Sequence, residues 1–126
     1  MTSWTADELV DLNTVNSLLL EAHAPGESAS GKVELGVVVV GDAVYVRAYR
    51  GPDSAWYQAA LAIAVGTIRA GTIDTDVAFD SAVPGQLDSI DESYRTKYGH
   101  FGAAAVGLAT SSTARAATVR ILRGRQ

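Results

Sequence analysis

The stretch that decides the fold is VELGVVVVGDAVYVRAYR, residues 33–50. A run dense in β-branched residues, 33–40, and a partner run, 43–50, flank the dipeptide Gly41-Asp42. A two-residue connection of this composition is typical of a β-hairpin. Because the first run is apolar on both faces, we expect it to lie centrally in its sheet. The hairpin is therefore the local structure from which the rest of the fold is predicted.

The segments on either side of the hairpin predict further helices and strands. Thr5–Glu8 has the form of a capping box, which predicts a helix continuing at apolar helical spacing to about Glu21. The other predicted elements are a loop over 24–31, a helix over 55–65 capped by Asp53 or Ser54 and ended by Gly66, a hairpin of strands 67–70 and 72–79 around Gly71, a loop over 83–85, a helix over 86–98 ended by Gly99, a stretch of undetermined structure over 100–110, and a closing strand over 116–122. Strands joined mainly as hairpins in the order α-ββ-α-ββ-α-β predict an α+β fold with an antiparallel sheet or small barrel.

Composition narrows the class of protein. A chain of 126 residues, 48% hydrophobic and 19% charged, predicts one globular domain, 1–126, and an apolar excess in a small domain is often covered by a second subunit. The absence of cysteine excludes disulfides and thiolate chemistry. We expect a soluble cytoplasmic protein without a membrane partner, because the longest apolar run, 35–40, is too short to cross a bilayer. The segment 114–126 has four arginines and no acid, but a net charge of −4 favours an arginine-flanked strand over a nucleic-acid site.

The second strand of the hairpin carries the first candidate site. Side chains alternate along a strand, so Tyr45, Arg47 and Tyr49 share one face. The opposite face, which we expect to be core, carries Val44, Val46 and Ala48. An arginine between tyrosines suits a planar, anionic ligand, because guanidinium binds phosphate and the rings offer stacking surfaces. An exposed face whose arginine pairs with an acid is the alternative interpretation.

The loop after this strand has the composition of a phosphate cradle. Gly51 permits close approach to the main chain, Arg50 adds a positive charge, and the following helix presents free N–H groups at its N-terminus. Trp56 and Tyr57 at the start of that helix could wall the same pocket. An ordinary capped helix after a turn, with both aromatic side chains in the core or an interface, is the alternative.

A third cluster offers groups that can transfer protons. Tyr94 and Tyr98 lie one helical turn apart, with Lys97 beside them and His100 close behind. Lysine, tyrosine and histidine can all act as acids or bases, and a neighbouring lysine can lower a tyrosine's pKa. Tyrosines that simply pack inward beside a solvated lysine are the alternative. His23 and His100 lack the spacing of metal ligands, so we predict no metal site.

Several segments together resemble an uncharacterised bacterial family of small domains that is placed with the flavin-binding split barrels. The segments are VYVRAYRG (44–51), AWYQAAL (55–61) and GTIRAG (66–71), with WTADEL (4–9), YRTKYG (94–99) and the closing strand 115–121 outside them. The resemblance implies an antiparallel split β-barrel of about five to six strands with flanking helices. This chain departs from the family at Gly36, where tryptophan is frequent, at Ala48, where serine is common, and over 23–31, where an arginine is expected.

More distantly, the chain is similar to the deazaflavin-dependent nitroreductases. These also have a strand, a basic residue with glycine, a short loop and a helix that opens with Trp-Tyr, and the unit binds the cofactor's phosphate and sugar-like chain. The resemblance implies cofactor-binding roles here for Tyr49, Arg50, Gly51, Trp56 and Tyr57, to which the shared strand face adds Arg47. It also implies a homodimer with the cofactor between subunits.

Three hypotheses for function remain at this point. The first is a protein that binds flavin mononucleotide or a deazaflavin and acts as an oxidoreductase on a small organic substrate, with Tyr94, Lys97, Tyr98 and His100 as candidate catalytic residues. The second is a cofactor-free cyclase or isomerase that uses the same Tyr/Lys/His groups for acid–base chemistry. The third is a non-catalytic module that binds a small molecule or another protein.

Overall fold

The computed structural model describes residues 3–23, 32–82 and 84–124. Within these ranges the α-helices are α1 (Ala6–Thr14), α2 (Ala55–Ile63), α3 (Leu87–Tyr98), α4 (Ala103–Ala109) and α5 (Ser112–Arg115). The strands are β1 (Leu18–Ala22), β2 (Val33–Leu35), β3 (Val38–Val40), β4 (Ala43–Arg47), β5 (Val65–Ala70), β6 (Ile73–Ser81) and β7 (Thr118–Arg123). The predicted loop over 24–31 and Val83 of the loop over 83–85 lie outside the described residues. None of the helices formed by the described ranges has the length and apolarity needed to span a bilayer.

The fold is a mixed α+β arrangement in which the seven strands form one curled antiparallel half-barrel. The strand order is β2-β1-β5-β6-β7-β4-β3, so β2 and β3 stand at opposite ends of the sheet. Only Gly36 and Val37 separate these two strands in the chain. The sheet therefore has to curl until its two ends meet at this two-residue corner.

Both predicted hairpins are confirmed. β3 and β4 pair across Gly41-Asp42, with Gly41 at φ 62°, and β5 and β6 pair across a turn containing Gly71 at φ 58°. A left-handed φ favours glycine because a side chain would clash with the main chain. The capping box at Thr5, the helix predicted over 86–98, which forms α3 from Leu87 to Tyr98, and the closing strand are also confirmed.

The prediction of five to six strands was wrong for two reasons. The helix that begins at Ala6 ends at Thr14, and the residues expected to continue it form β1, in which Leu18, Leu20 and Ala22 alternate as buried side chains. The run 33–40 is not one central strand, because Gly36 and Val37 divide it into the two end strands of the sheet. Short apolar runs fit either a helix or a strand, which explains the first error.

Helix α2 also ends earlier than predicted. It stops at Ile63, and Ala64 takes the left-handed conformation at φ 68°, while Gly66 belongs to β5. Gly66 is required for a different reason, since a Cβ there would lie 1.9 Å from the carbonyl oxygen of Glu21 on β1. Ser54 occupies the N-cap position of α2, but its side chain donates no capping hydrogen bond and accepts none.

The sheet is buried on both faces where it carries the candidate site. Val44 and Val46 of β4 belong to the larger apolar core, as predicted from strand alternation. On the opposite face α3 packs against β3 and β4, forming a second apolar cluster that contains Tyr45, Ile90, Tyr94 and Tyr98. The face predicted to be aromatic and cationic is therefore largely covered by a helix.

Candidate functional site

Side chains of α3 complete the hydrogen bonding of the corner at Gly36-Val37. The Val37 N–H donates to the Tyr98 hydroxyl at 2.9 Å, and Lys97 Nζ donates to the Val37 carbonyl at 2.6 Å. Tyr98 also donates to the Asn16 carbonyl at 2.8 Å, and Lys97 donates to the Leu12 carbonyl at 3.0 Å. Two of the predicted catalytic residues thus hold α1, the corner and α3 together.

Three tyrosines form a row behind the corner. Tyr49 and Tyr94 meet edge to face with ring centroids 6.4 Å apart, and Tyr94 stacks on Tyr98 at 5.8 Å. A Cβ added to Gly36 would lie 3.1 Å from the Tyr49 hydroxyl and 3.3 Å from the Tyr98 hydroxyl. The tyrosine row, Tyr49–Tyr94–Tyr98, therefore places two phenol groups against the bare main chain of Gly36. His100 is exposed and contacts Phe101, with 4.2 Å between ring centroids, at the end of this row.

Burial shifts the pKa values of the tyrosine hydroxyls and of the Lys97 amine, because it disfavours the charged form of each group. The pKa of Tyr49 is raised to about 12, and the pKa of the fully buried Tyr94 is raised well above its usual value. Burial also raises the pKa of Tyr98, although the hydrogen bond from the Val37 N–H acts in the opposite direction. The pKa of Lys97 is lowered to about 8 because the ammonium is partly removed from water. The expectation that a neighbouring lysine lowers a tyrosine pKa was wrong, since desolvation dominates here.

Arg47 is held inside the protein. It is 1% exposed, and its Nε donates to Thr118 at 3.0 Å. Its Nη1 donates to Asp91 and to the Ala109 carbonyl, and Nη2 donates to the Leu87 carbonyl. The alternative interpretation of this strand face, an arginine paired with an acid, therefore describes Arg47, but the pair is buried instead of exposed.

Asp91 is the residue that the sequence interpretation missed. It is 5% exposed, and it accepts hydrogen bonds from Arg47 and Arg115 with its two carboxylate oxygens. Its position was visible in the sequence, because it falls on the same side of α3 as Leu87, Tyr94 and Tyr98. An acid in the apolar stripe of a helix usually has a buried basic partner.

A cleft of about 440 Å³ opens where β2, the end of β4 and the start of α2 meet. This β2–β4–α2 cleft contains much of the predicted cofactor site, since its lining includes Glu34, Gly36, Arg47, Tyr49, Arg50, Ser54, Ala55 and Trp56. The Glu34 carboxylate accepts a hydrogen bond from Ser17 Oγ at 2.6 Å. Tyr49, 37% exposed, and the half-buried Trp56 supply aromatic surface to the cleft.

Arg50 adds a positive charge to the α2 end of this cleft, whereas the carboxylate of Glu34 adds a negative charge at β2. Arg50 is exposed, and no acidic side chain of residues 3–23, 32–82 or 84–124 lies within ion-pair distance of it. The first turn of α2 adds the main-chain N–H groups of residues 55–57, which have no acceptor within the described chain. Unsatisfied N–H groups at a helix N-terminus together with an arginine favour an anion.

Two predicted cofactor residues lie outside the lining of the cleft. Gly51 is buried at φ 93°, and its main chain makes the turn that leads from β4 to α2. A Cβ there would lie 2.5 Å from the Thr113 methyl group, so the position requires glycine. Tyr57 packs against Trp56, and its hydroxyl lies 3.4 Å from the Ala116 carbonyl. Both residues shape the start of α2 behind the cleft.

Comparison with known proteins adds one finding to this geometry. Among the curated proteins no match to the chain is found. The family described as "Uncharacterized protein conserved in bacteria (DUF2255)" matches residues 8–121, a range that contains the corner, the tyrosine row and the whole β2–β4–α2 cleft. The chain therefore belongs to this bacterial family of uncharacterised proteins.

Proposed function

We propose that this protein binds flavin mononucleotide or a deazaflavin in the β2–β4–α2 cleft and serves as an oxidoreductase on a small organic substrate. The observation that carries the proposal is that Arg50 and the N–H groups of the first turn of α2, none of which has a partner among the described residues, belong to one cleft. That combination suits a phosphate or another anionic group at the end of a larger ligand. The curled half-barrel is consistent with a place among the flavin-binding split barrels.

The cleft passes a first test of fit to such a cofactor. Its volume of about 440 Å³ falls within the roughly 300–1,000 Å³ range usual for cofactor and small-molecule sites. Tyr49 and Trp56 provide flat apolar surface, and Arg50 lies at the α2 side, where the anionic group would bind. Arg47 contributes rigidity instead of a contact with phosphate, because its guanidinium is already bonded to Asp91 and to two main-chain carbonyls.

The chain's own residues have distinct roles in this proposal. Arg50 and the N-terminus of α2 bind the anionic end of the cofactor. Tyr49 and Trp56 exclude water from the ring system of the cofactor. When bound, the cofactor supplies hydride transfer. The Tyr49 hydroxyl, with its pKa raised to about 12, stays protonated at neutral pH and can donate a hydrogen bond into the cleft. Tyr98 holds the corner that forms the floor beside Gly36.

The proposal includes a homodimer. Support comes from Phe101 and Leu108, which are 52% and 58% exposed on the segment around α4. That segment, residues 99–114, contains no charged side chain. Uncharged apolar surface of this kind is typical of subunit interfaces, where charged residues are depleted.

The test is a titration of the purified protein with flavin mononucleotide and with a deazaflavin, following cofactor fluorescence. We expect saturable binding of one of them, weakened about tenfold to a hundredfold in Arg50→Ala because a hydrogen-bonded charge is lost. Arg95→Ala is the matched control, since Arg95 is an exposed arginine on α3 whose partner is Glu92 at 3.2 Å. It should bind as the unchanged protein does.

Two results would contradict the proposal. If neither cofactor binds, the cleft is not a flavin site, and a cofactor-free enzyme or a simple binding module becomes the better hypothesis. If a cofactor binds but Arg50→Ala and Arg95→Ala behave alike, its anionic end is bound elsewhere. Size-exclusion chromatography with light scattering on the same samples tests the homodimer, and a monomer at every concentration would remove that part of the proposal.

A further inference from the structure

A second cleft, of about 510 Å³, lies between the outer edge of β3 and the solvent side of α3. This β3–α3 cleft shares no lining residue with the β2–β4–α2 cleft. We infer that it is a binding site for small hydroxylated aldehydes, with Lys97 as the amine that forms an imine with them. The inference is independent of the proposed flavin site.

The position of Lys97 carries the inference. Its side chain is half-buried and lines the cleft, and no acidic side chain of the described residues lies within ion-pair distance of it. Nζ donates to the carbonyls of Leu12 and Val37, and the face of the Tyr98 ring lies 5.3 Å away. A neutral amine has two N–H groups and one lone pair. The lone pair attacks the carbonyl carbon, and because both amine hydrogens leave in the water that is lost, forming the imine releases the hydrogen bonds to the Leu12 and Val37 carbonyls.

Burial makes the neutral amine available. The pKa of Lys97 is lowered to about 8, so a substantial fraction is deprotonated in mildly alkaline solution, whereas an ordinary lysine is almost fully protonated there. Glu92, the acid in the cleft lining, is paired with Arg95 at 3.2 Å. A desolvated lysine without an acidic partner is the usual form of an imine-forming residue.

The lining defines the class of aldehyde. Ser89, Ser93, Thr96 and Asn13 offer hydroxyl and amide groups, while Glu92 disfavours an anionic ligand. A small, uncharged molecule with several hydroxyl groups fits this surface. The reaction balances without a further reagent: Nζ attacks the carbonyl carbon, the resulting carbinolamine loses water, and a protein-bound imine remains.

The test uses glyceraldehyde as the probe and borohydride to reduce the imine, with the modified lysines measured by peptide mass spectrometry at about pH 8. The described chain has an internal control in Lys32, which is more exposed and lies 3.8 Å from Glu21. We expect Lys97 to be modified about tenfold faster than Lys32, because burial lowers the pKa of Lys97 to about 8 and leaves a substantial fraction of its amine neutral at this pH. Its rate should saturate with glyceraldehyde concentration, as binding in a cleft requires.

A variant that fills the cleft distinguishes binding of glyceraldehyde in the cleft from the intrinsic reactivity of the Lys97 amine. Ser89→Trp places a large side chain at an exposed position in the cleft lining, so the helix is retained and the cleft is filled. It should slow the modification of Lys97 and leave that of Lys32 unchanged, with the same circular dichroism spectrum. Equal rates for the two lysines, a rate that rises linearly with glyceraldehyde, or no effect of Ser89→Trp would each overturn the inference.

Discussion

Asp91 is the residue on which the buried polar structure depends. Its carboxylate neutralises Arg47, which is enclosed beneath α3, and also binds Arg115 at the end of α5. Arg47 in turn bonds to Thr118 on β7, so the acid links α3 to two neighbouring strands. A buried cation is tolerated only while its partner is present, because an isolated charge in a protein interior is strongly unfavourable.

Replacing Asp91 by asparagine should lower the free energy of unfolding by about 3–5 kcal/mol, since it leaves a buried arginine without a counter-charge. Chemical denaturation followed by circular dichroism measures the change. Glu92→Gln is the control, because the neighbouring acid forms an exposed pair with Arg95 that is worth less than about 1 kcal/mol. Equal losses in the two variants would mean that Asp91 has no special structural role.

For single residues, the sequence predicted on which face of a strand a side chain lies better than it predicted the side chain's hydrogen-bond partner. The alternation of β4 correctly separated Val44 and Val46 from Arg47. Tyr49, Arg50 and Trp56 do line one cleft, as the composition of the loop and the resemblance to the deazaflavin-dependent nitroreductases suggested. The ion pair between Arg47 and Asp91 could not be predicted from the sequence. It depends on which helix packs over β4, and no local sequence pattern specifies that packing.

Among the elements, β1 and β5 approach each other unusually closely. Gly66 stands opposite Ala22 in the register, and the Glu21 carbonyl occupies the space that a side chain would need. β1 joins β2 to the rest of the sheet, so the end strand that lines the β2–β4–α2 cleft depends on this contact. A glycine in a strand often marks such a close approach of two main chains.

Gly66→Ala should separate β1 from β5 and lower the free energy of unfolding by about 2 kcal/mol or more, because the new methyl group overlaps main-chain atoms that cannot rotate away. The matched control is Gly107→Ala in α4, where a Cβ would meet nothing within 4 Å. That change should stabilise the protein by about 0.5–1 kcal/mol through helix propensity. Thermal denaturation distinguishes them, and a harmless Gly66→Ala would contradict the contact.

The error at β1 shows why element types are harder to predict than turns. Leu9, Leu12, Val15 and Leu19 follow helical spacing, yet Leu18 and Leu20 alternate equally well as a strand. The pattern alone fits both, and the contact with β5 decides the outcome. Gly41-Asp42 and Gly71 were predictable because a tight turn is specified by the residues within it.

For the molecule as a whole, long-range pairing determines the architecture. β7 lies between β6 and β4, although it follows both in the chain by many residues. Trp4 donates its indole N–H to the Ile121 carbonyl 117 positions later, at 3.1 Å. Local patterns predicted an antiparallel α+β fold, but strand order depends on contacts of this kind, which leave no mark in the local sequence.

The same whole-molecule packing makes stability sensitive to alkali. Tyr49 has a pKa of about 12 in the folded protein, against about 10 in an unfolded chain. The unfolded chain therefore loses its proton first, so this contribution to stability is complete below about pH 10 and is lost as pH rises towards 12. We expect the free energy of unfolding to fall over that interval.

Tyr49→Phe should flatten this fall, since it removes one of the groups responsible. Urea denaturation at a series of pH values measures the slope for both proteins. The comparison at pH 7, where the tyrosines are protonated in both states, serves as the baseline for any loss of packing. An unchanged slope in the variant would show that folding does not raise the pKa of Tyr49.

The central place of β7 also has a consequence for biosynthesis. A nascent chain on the ribosome has already exposed β4 and β6 before the strand that fills the gap between them has been translated. Until then, β4 and β6 each present an unpaired edge, which is the surface that leads to aggregation. We expect the chain to depend during synthesis on chaperones that bind unfolded segments, and truncated chains that stop before Thr118 to be recovered in inclusion bodies.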